Sequence, residues 1–235
     1  MIAIIAAMDE ELDALKKLMS DVREKDMDGF FVLEGKIEDN DVVLWKSGVG
    51  KTYAAISTTL IIKNYHPEYI INIGSAGSLR HDIRPGSVVI PVVCAYHDVE
   101  VPGWPKGFKD GRRTYYLDEK LINVSKKIAN RNTYYGNLVS GDSFIYLKEQ
   151  TDKILNEYPD AFCSEMEGTS IAQTADALKT PLIIIRSISD VTVEEGNEIS
   201  FEEFLPVAAK NSAEFCKKFI LEMNKYAKIK NQHKR

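Results

Sequence analysis

Three carboxylates lie beside the predicted ends of strands or starts of helices, positions from which acid–base chemistry can be done. Asp190 ends the apolar run Leu182-Ile-Ile-Ile-Arg-Ser-Ile-Ser-Asp190. A carboxyl at the end of a buried strand is partly desolvated, which raises its pKa and lets it hold a proton near neutral pH. Asp190 is therefore a candidate general acid, and the alternative is an aspartate that caps a turn or a helix.

Glu11 and Glu167 both stand at the predicted start of a helix. Glu11 lies in the first turn after the first strand, and Glu167 ends the segment Ser164-Glu-Met-Glu167. A negative charge at a helix N-terminus stabilises the helix by about 0.3–1 kcal/mol. Position alone therefore allows a purely structural role for either glutamate.

The elements that must position these acids alternate between buried strands and helices. Residues 2–7 form an unbroken apolar run, which is typical of a strand covered on both faces. Apolar and β-rich runs predict further strands at 30–37, 42–46, 69–73, 87–96, 133–140 and 182–188. Helical spacing predicts helices at 9–19, 50–63, 121–129, 148–157, 167–178 and 201–226, and 98–115 is predicted to be a loop. This order predicts an α/β fold, a three-layer α/β/α sandwich with a central mixed sheet.

One domain is expected, because 235 residues suit a single core, and residues from about 228 are predicted to form a disordered basic tail. Ligands in such folds bind at the carboxyl ends of the strands. That rule selects residues 8–11, 47–51, 74–77, 140–145 and 189–190 as the site.

Composition argues against several classes of function. The formal net charge of −5 offers no field that attracts nucleic acid or an anionic membrane. Cys94, Cys163 and Cys216 are far apart, so neither a disulfide framework nor a metal site is indicated, and no cofactor is expected. The N-terminal apolar run is too short to span a bilayer and carries no basic segment, which favours a cytoplasmic protein.

Two glycine-rich segments partly match nucleotide-binding motifs. Ser47-Gly-Val-Gly-Lys-Thr52 resembles the end of a P-loop, but Trp45 stands where the full pattern needs its first glycine. Gly74-Ser-Ala-Gly77 lacks the third glycine of a dinucleotide-binding loop. We interpret both segments as turns or close backbone approaches.

Five segments together resemble a known family. They are Ala7-Met-Asp-Glu-Glu11, Ser47-Gly-Val-Gly-Lys51, Ile71-Asn-Ile-Gly-Ser-Ala-Gly77, Val139-Ser-Gly-Asp-Ser-Phe-Ile145 with Ser164-Glu-Met-Glu167, and Arg186-Ser-Ile-Ser-Asp190 followed by Ser200-Phe201. In this order they resemble the methylthioadenosine/S-adenosylhomocysteine nucleosidases of the nucleoside phosphorylase superfamily. The resemblance implies hydrolysis of the N-glycosidic bond of a 5′-thio-substituted adenosine, with water as the second substrate.

The resemblance also implies a role for each matching residue. Asp190, held by Ser189, would protonate adenine N7, and Glu11 would deprotonate the attacking water with help from Ser75 and Arg186. The remaining implied positions contact substrate: Glu167 at the ribose hydroxyls, Met166 beneath the sugar, Phe144 on adenine, the Ile145 backbone at its edge, Ala76 and Gly77 in the glycine-rich loop, and Met8, Val49 and Phe201 around the 5′ group.

An acid on the base side and a water-activating base opposite are what inverting glycoside hydrolysis needs. Phosphorylases of the hexameric bacterial branch instead hold phosphate with an arginine three residues before the serine of the glycine-rich loop. Asn72 occupies that position here, and the acidic segment 9–11 would repel a phosphate dianion. Water is therefore favoured over phosphate as the nucleophile.

Several alternatives stay open at this point. They are a phosphate-dependent phosphorylase, a nucleosidase for another 5′ substituent such as a futalosine-type nucleoside, and a binding protein without turnover. Segment 97–113 departs from the family pattern, and Val101, Pro102 and Trp104 stand in its place. In the family this segment reaches the neighbouring subunit, so the resemblance implies a homodimer. Because the segment departs from the family pattern here, the resemblance does not imply the 5′ specificity.

Overall fold

The chain folds into a mixed sheet covered by helices. The structure, a computed structural model, describes residues 1–104, 107–108, 113–194 and 197–232. Its strands are β1 (Ile2–Ala6), β2 (Ser20–Met27), β3 (Phe30–Ile37), β4 (Asn40–Lys46), β5 (Ile70–Ser78), β6 (Val88–Tyr96), β7 (Thr114–Tyr116), β8 (Thr133–Ser140), β9 (Ala161–Glu165) and β10 (Leu182–Val191). Its helices are α1 (Asp9–Lys16), α2 (Lys51–Tyr65), α3 (Glu119–Ser125), α4 (Lys148–Glu157), α5 (Gly168–Ala177) and α6 (Asn197–Gln232).

The sheet is open at one end and closed on itself at the other. β1 pairs in parallel with β4 and β5, and β3 and β2 follow β4 as antiparallel strands. β5 pairs in parallel with β10, and β10, β6, β8 and β9 then lead back to β5. The carboxyl ends of β1, β4, β5 and β10 consequently meet at one edge.

Apolar side chains on both faces of the strands explain the three layers. Ile4 of β1 packs in a cluster with α1 and α6, whereas its neighbour Ile5 packs in a cluster with α2 and α5. Burial on both faces requires helices on both faces. The predicted three-layer α/β/α sandwich with a mixed sheet is confirmed.

Several predicted bounds differ from the structure. β2 and β9 were not predicted, and the short β7 overlaps the end of the predicted loop 98–115. β5 and β10 continue through the segments 74–77 and 189–190, which were expected to follow the strands. α6 continues to Gln232, so residues 228–232 are helical where a disordered tail was predicted, and 233–235 lie outside the described residues.

Candidate active site

A cavity of about 90 Å³ opens at the edge where β1, β5 and β10 end. Every residue to which the family resemblance assigns a role, except Ile145, lines it. The lining comprises Ala7, Met8, Glu11, Val49, Ile73, Gly74, Ser75, Ala76, Gly77, Phe144, Ser164, Glu165, Met166, Glu167, Arg186, Ser189, Asp190 and Phe201. A cleft of about 440 Å³ lies elsewhere, near Met1 and Tyr226, and none of the predicted acids reaches it.

Glu11 is buried and held by donors on both carboxylate oxygens. Its Oε2 accepts the backbone N–H groups of Ala7 at 3.0 Å and Met8 at 3.3 Å. Its Oε1 accepts the backbone N–H of Ser75 at 3.0 Å, and Ser75 Oγ lies 3.4 Å away. Burial raises the pKa of Glu11 above its ordinary value, although Arg186 and the N–H groups act in the opposite direction. A fixed carboxylate of raised basicity suits a general base.

Arg186 lies fully buried between acids. Its Nη2 donates to Glu165 Oε2 at 2.7 Å and to Asn72 Oδ1 at 2.5 Å. Glu165 also accepts the N–H groups of Glu167 at 3.0 Å and Gly168 at 2.7 Å. Since Glu165 already balances its charge, Arg186 leaves little positive potential for an anionic ligand.

Asp190 lies on a bulge of β10. The parallel register with β5 shifts between Ile188 and Asp190, and this irregularity brings Asp190 opposite Gly77. The side chain is 1% exposed, and Ser189 Oγ lies 2.8 Å from its Oδ1. The bulge thus places a buried carboxyl in the cavity wall, oriented by the neighbouring hydroxyl.

Glu167 lies immediately before α5 and reaches the start of α2. Its Oε1 accepts the backbone N–H of Gly50 at 2.7 Å. The side chain is 8% exposed. Burial, reinforced by the nearby Glu165, raises the pKa of Glu167 to about 8. The capping alternative considered for Glu167 therefore concerns α2 rather than α5.

One wall of the cavity is apolar and open to solvent. The rings of Phe144 and Phe201 meet edge to face with centroids 5.1 Å apart, and Phe144 stacks on Tyr146 at 6.4 Å. Phe144 and Val49 are 37% and 50% exposed. Ile145 differs from these residues, because its side chain packs in a separate core cluster with Val139 and Tyr158.

Two buried polar residues of the site were not assigned a role from the sequence. Glu165 stands in the quoted segment 164–167, and its spacing of two from Glu167 is the signal that marks it. Asn72 was used only to argue against phosphate, yet its Nδ2 donates to Ile5 O at 3.0 Å while its Oδ1 accepts from Arg186. Both residues hold Arg186 in place.

The segment 47–52, which resembles the end of a P-loop, forms a turn that binds carboxylates. The backbone N–H groups of Gly50 and Lys51 donate to Glu167 and Asp142, at the place where a P-loop would cradle phosphate. Within the described residues, no group of three or more His, Cys, Asp or Glu side chains could hold a metal ion. Across that same part of the chain, no helix has both the length and the hydropathy to span a bilayer.

Comparison with known proteins extends over most of the chain. The family model of the phosphorylase superfamily matches residues 1–221. The 5′-methylthioadenosine/S-adenosylhomocysteine nucleosidase of Staphylococcus carnosus strain TM300 is 40% identical over 233 residues, which cover 96% of this chain and 99% of that protein.

Solved structures agree with this match. The 5′-methylthioadenosine/S-adenosylhomocysteine nucleosidase of Neisseria meningitidis, in complex with methylthio-immucillin-A, has a TM-score of 0.87 and 34% identity, covering 93% of this chain and 97% of that one. The futalosine hydrolase of Helicobacter pylori strain 26695 has a TM-score of 0.87 and 29% identity, with 94% and 97% covered. The resemblance found in the sequence is confirmed, and this chain belongs to the phosphorylase superfamily and, within it, to the 5′-methylthioadenosine/S-adenosylhomocysteine nucleosidases.

Proposed function

We propose that the protein hydrolyses the N-glycosidic bond of 5′-thio-substituted adenosines such as methylthioadenosine and S-adenosylhomocysteine, giving adenine and the thioribose. The observation that carries this proposal is the presence of two buried acids, Glu11 and Asp190, in the wall of one cavity. The bond breaks through a cation-like sugar, and adenine leaves readily only when it is protonated.

We assign the general acid to Asp190 and the general base to Glu11. Asp190, oriented by Ser189, gives its proton to adenine N7 as the bond stretches. Glu11 takes a proton from a water that we place beside Ser75 and Arg186, because Ser75 N donates to this carboxylate at 3.0 Å and the charge of Arg186 acts on it. Acid–base terms of this kind contribute about 10²–10⁴ in rate.

Sugar and base recognition follow from the rest of the lining. Within the described part of the chain, Oε1 of Glu167 accepts one hydrogen bond and Oε2 accepts none. Oε2 is therefore available for the ribose hydroxyls. Met166 packs beneath the sugar, and Phe144 stacks on adenine, whose edge meets the Ile145 backbone and the strand of Ala76 and Gly77. The apolar wall of Met8, Val49 and Phe201 suits an uncharged thioether at the 5′ position.

Charge favours water over phosphate as the nucleophile. Glu11, Glu165, Glu167 and Asp190 line the cavity, and Arg186 is the one cation in that lining. Arg186 is already paired with Glu165 at 2.7 Å. A phosphate dianion would enter a site of net negative charge, which is unfavourable in a desolvated pocket.

Adenine release from methylthioadenosine, measured with and without phosphate, tests this proposal. We expect equal rates in both conditions, with free methylthioribose as the product. A strict requirement for phosphate, with a ribose 1-phosphate product, would instead make the protein a phosphorylase. No turnover together with tight nucleoside binding would make it a binding protein.

A futalosine-type nucleoside is the second candidate substrate, because a futalosine hydrolase shares the fold at a TM-score of 0.87. Segment 97–113 departs from the nucleosidase pattern, and its residues 105–106 and 109–112 lie outside the described part of the chain. A release assay over methylthioadenosine, S-adenosylhomocysteine, 5′-deoxyadenosine and futalosine decides between them. We expect the two thioethers to give the highest kcat/KM.

We also propose a cytoplasmic homodimer. The family resemblance supports the dimer, and exposed apolar side chains at the start of α2, including Val49, Tyr53 and Ile56, supply surface for it. Three buried free cysteines support a reducing compartment. Light scattering during size-exclusion chromatography checks the dimer through its mass, and cell fractionation checks the compartment.

A further inference from the structure

The first turn of α2 begins at a glycine that has no side chain to cap it. Two carboxylates from distant segments take its first amides instead. Gly50 N donates to Glu167 Oε1 at 2.7 Å, and Lys51 N donates to Asp142 Oδ1 at 2.8 Å. A helix N-terminus carries unpaired N–H groups and partial positive charge, so both contacts are favourable. The start of α2 therefore joins Glu167 to the loop 141–147, which carries Phe144.

The side chain of Lys51 strengthens this junction. Lys51 Nζ lies 2.7 Å from Asp98 Oδ2 and 3.8 Å from Asp142 Oδ2. Asp98 Oδ2 also accepts the backbone N–H of Asp142 at 2.9 Å. Burial alone would raise the pKa of Asp98, but the hydrogen bonds from Lys51 and Asp142 N hold it below its ordinary value. Asp98 therefore stays charged at neutral pH, and it ties Lys51 to the loop.

The loop is also held from beneath, at the end of β6. His97 N donates to Ser140 O at 3.0 Å. The ring of His97 lies so close to Gly141 that a Cβ there would come within 2.4 Å of it. Only glycine permits this approach. The loop 141–147 is thus fixed by His97 below and by Lys51 at its side.

We propose that Lys51, Asp98 and Asp142, named here the α2 cluster, are positioning residues that set Phe144 and Glu167 relative to each other across the cavity. The inference rests on the proposed function for the roles of those two residues. No member of the α2 cluster lines the cavity, so each acts through its neighbours. Exposed ion pairs alone contribute little. This cluster differs because Asp98 and Asp142 each also accept a backbone N–H.

Steady-state kinetics of Asp142→Ala and Asp142→Asn test the proposal. Alanine removes the acceptor for Lys51 N, whereas asparagine keeps an oxygen there. We expect Asp142→Ala to raise KM for methylthioadenosine about fivefold, which corresponds to about 1 kcal/mol, the size of a lost helix cap. Its kcat should change much less, and Asp142→Asn should stay close to wild type. Lys217→Met on α6 removes the 2.6 Å pair with Glu38, far from the cavity lining, and is the matched control with unchanged kinetics.

Amide hydrogen exchange of the nucleoside-free protein gives a readout independent of turnover. We expect faster exchange in residues 50–53 and 141–147 of Asp142→Ala and Lys51→Met, and wild-type exchange in Lys217→Met. If wild type releases no adenine but the variants show these exchange changes, the proposed hydrolysis is wrong, whereas the positioning role of the α2 cluster is supported. Wild-type exchange and KM in Asp142→Ala, or equal effects of Asp142→Ala and Asp142→Asn, would overturn the α2 cluster.

Discussion

Asp190 lies directly across from Gly77 in the parallel pairing of β10 with β5, and no side chain fits at residue 77. A Cβ on Gly77 would stand 2.9 Å from Asp190 Oδ2 and 2.5 Å from Thr192 Cγ2. A glycine in a strand interior often marks such a close approach. The glycine-rich segment 74–77 therefore serves a buried carboxyl here rather than a phosphate.

Gly77→Ala should displace Asp190 and lower kcat by about tenfold or more, because misplacing a reacting group by about 1 Å is costly. Overpacking should also cost about 1–3 kcal/mol of stability. Gly136→Ala in β8 is the control, since its Cβ would meet the Phe162 ring at 2.3 Å, outside the cavity lining. Both variants should melt at lower temperature, and the control should keep its kcat per folded molecule. Wild-type kcat in Gly77→Ala would contradict the proposed close fit.

Asp190→Asn removes the proton donor and keeps the shape of the side chain. We expect turnover of methylthioadenosine to fall by about 10²–10⁴ while nucleoside binding remains. Isothermal titration with the substrate, beside a stopped adenine-release assay, separates the two effects. Normal turnover in this variant would remove Asp190 from the mechanism.

The pH dependence of kcat/KM tests Glu11 as the base. Glu11 works as a base only when ionised, and burial raises its pKa, so activity should fall on acidification at a pH above 4.5. Glu11→Gln should lose most turnover at every pH. Measuring the profile also in Glu167→Gln removes the second raised glutamate from the curve. An acid limb at or below pH 4.5 in that variant would mean that Glu11 is not the titrating base.

Glu167 makes stability depend on pH in a definite direction. Its pKa is about 8 in the folded protein against 4.5 in the unfolded chain, so between these values the native state keeps a proton that the unfolded chain releases. The contribution of Glu167 to the free energy of unfolding therefore falls as pH rises from 4.5 to 8. Glutamine at residue 167 cannot titrate, so the Tm of Glu167→Gln minus that of wild type should increase between pH 5.5 and 8.5. The increase should be roughly 2–4 °C for each kcal/mol of stability that wild type loses over this range. A difference in Tm that is independent of pH would show that native Glu167 is already ionised at pH 5.5.

The sequence predicted β1 and β10, which are buried on both faces, because each is an apolar run. β3 and β8 are only partly buried, and they match their predicted bounds in full. β2 was missed because five of the eight residues in its sequence, SDVREKDM, are charged, as suits an exposed edge strand. β9 was missed because five residues that include Ser164 and Glu165 show no hydrophobic pattern.

The site was predicted at the level of segments rather than contacts. The rule of strand ends selected the edge of the sheet at which the cavity opens, and the family resemblance supplied the residues. Neither could show that Glu165 balances Arg186, or that Glu167 and Asp142 take the first amides of α2, because these partners are far apart in the chain. Such pairings depend on tertiary packing, which no local pattern encodes.

The pairing of β5 with β10 also determines when the sheet can close during synthesis of the chain. Leu182 pairs with Ile70, so β5 leaves the ribosome long before the strand that covers its flank. Contacts between such distant residues form slowly. A nascent chain that already contains Glu11 thus still lacks Asp190, and the side of β5 that pairs with β10 stays unpaired until Val191 has emerged.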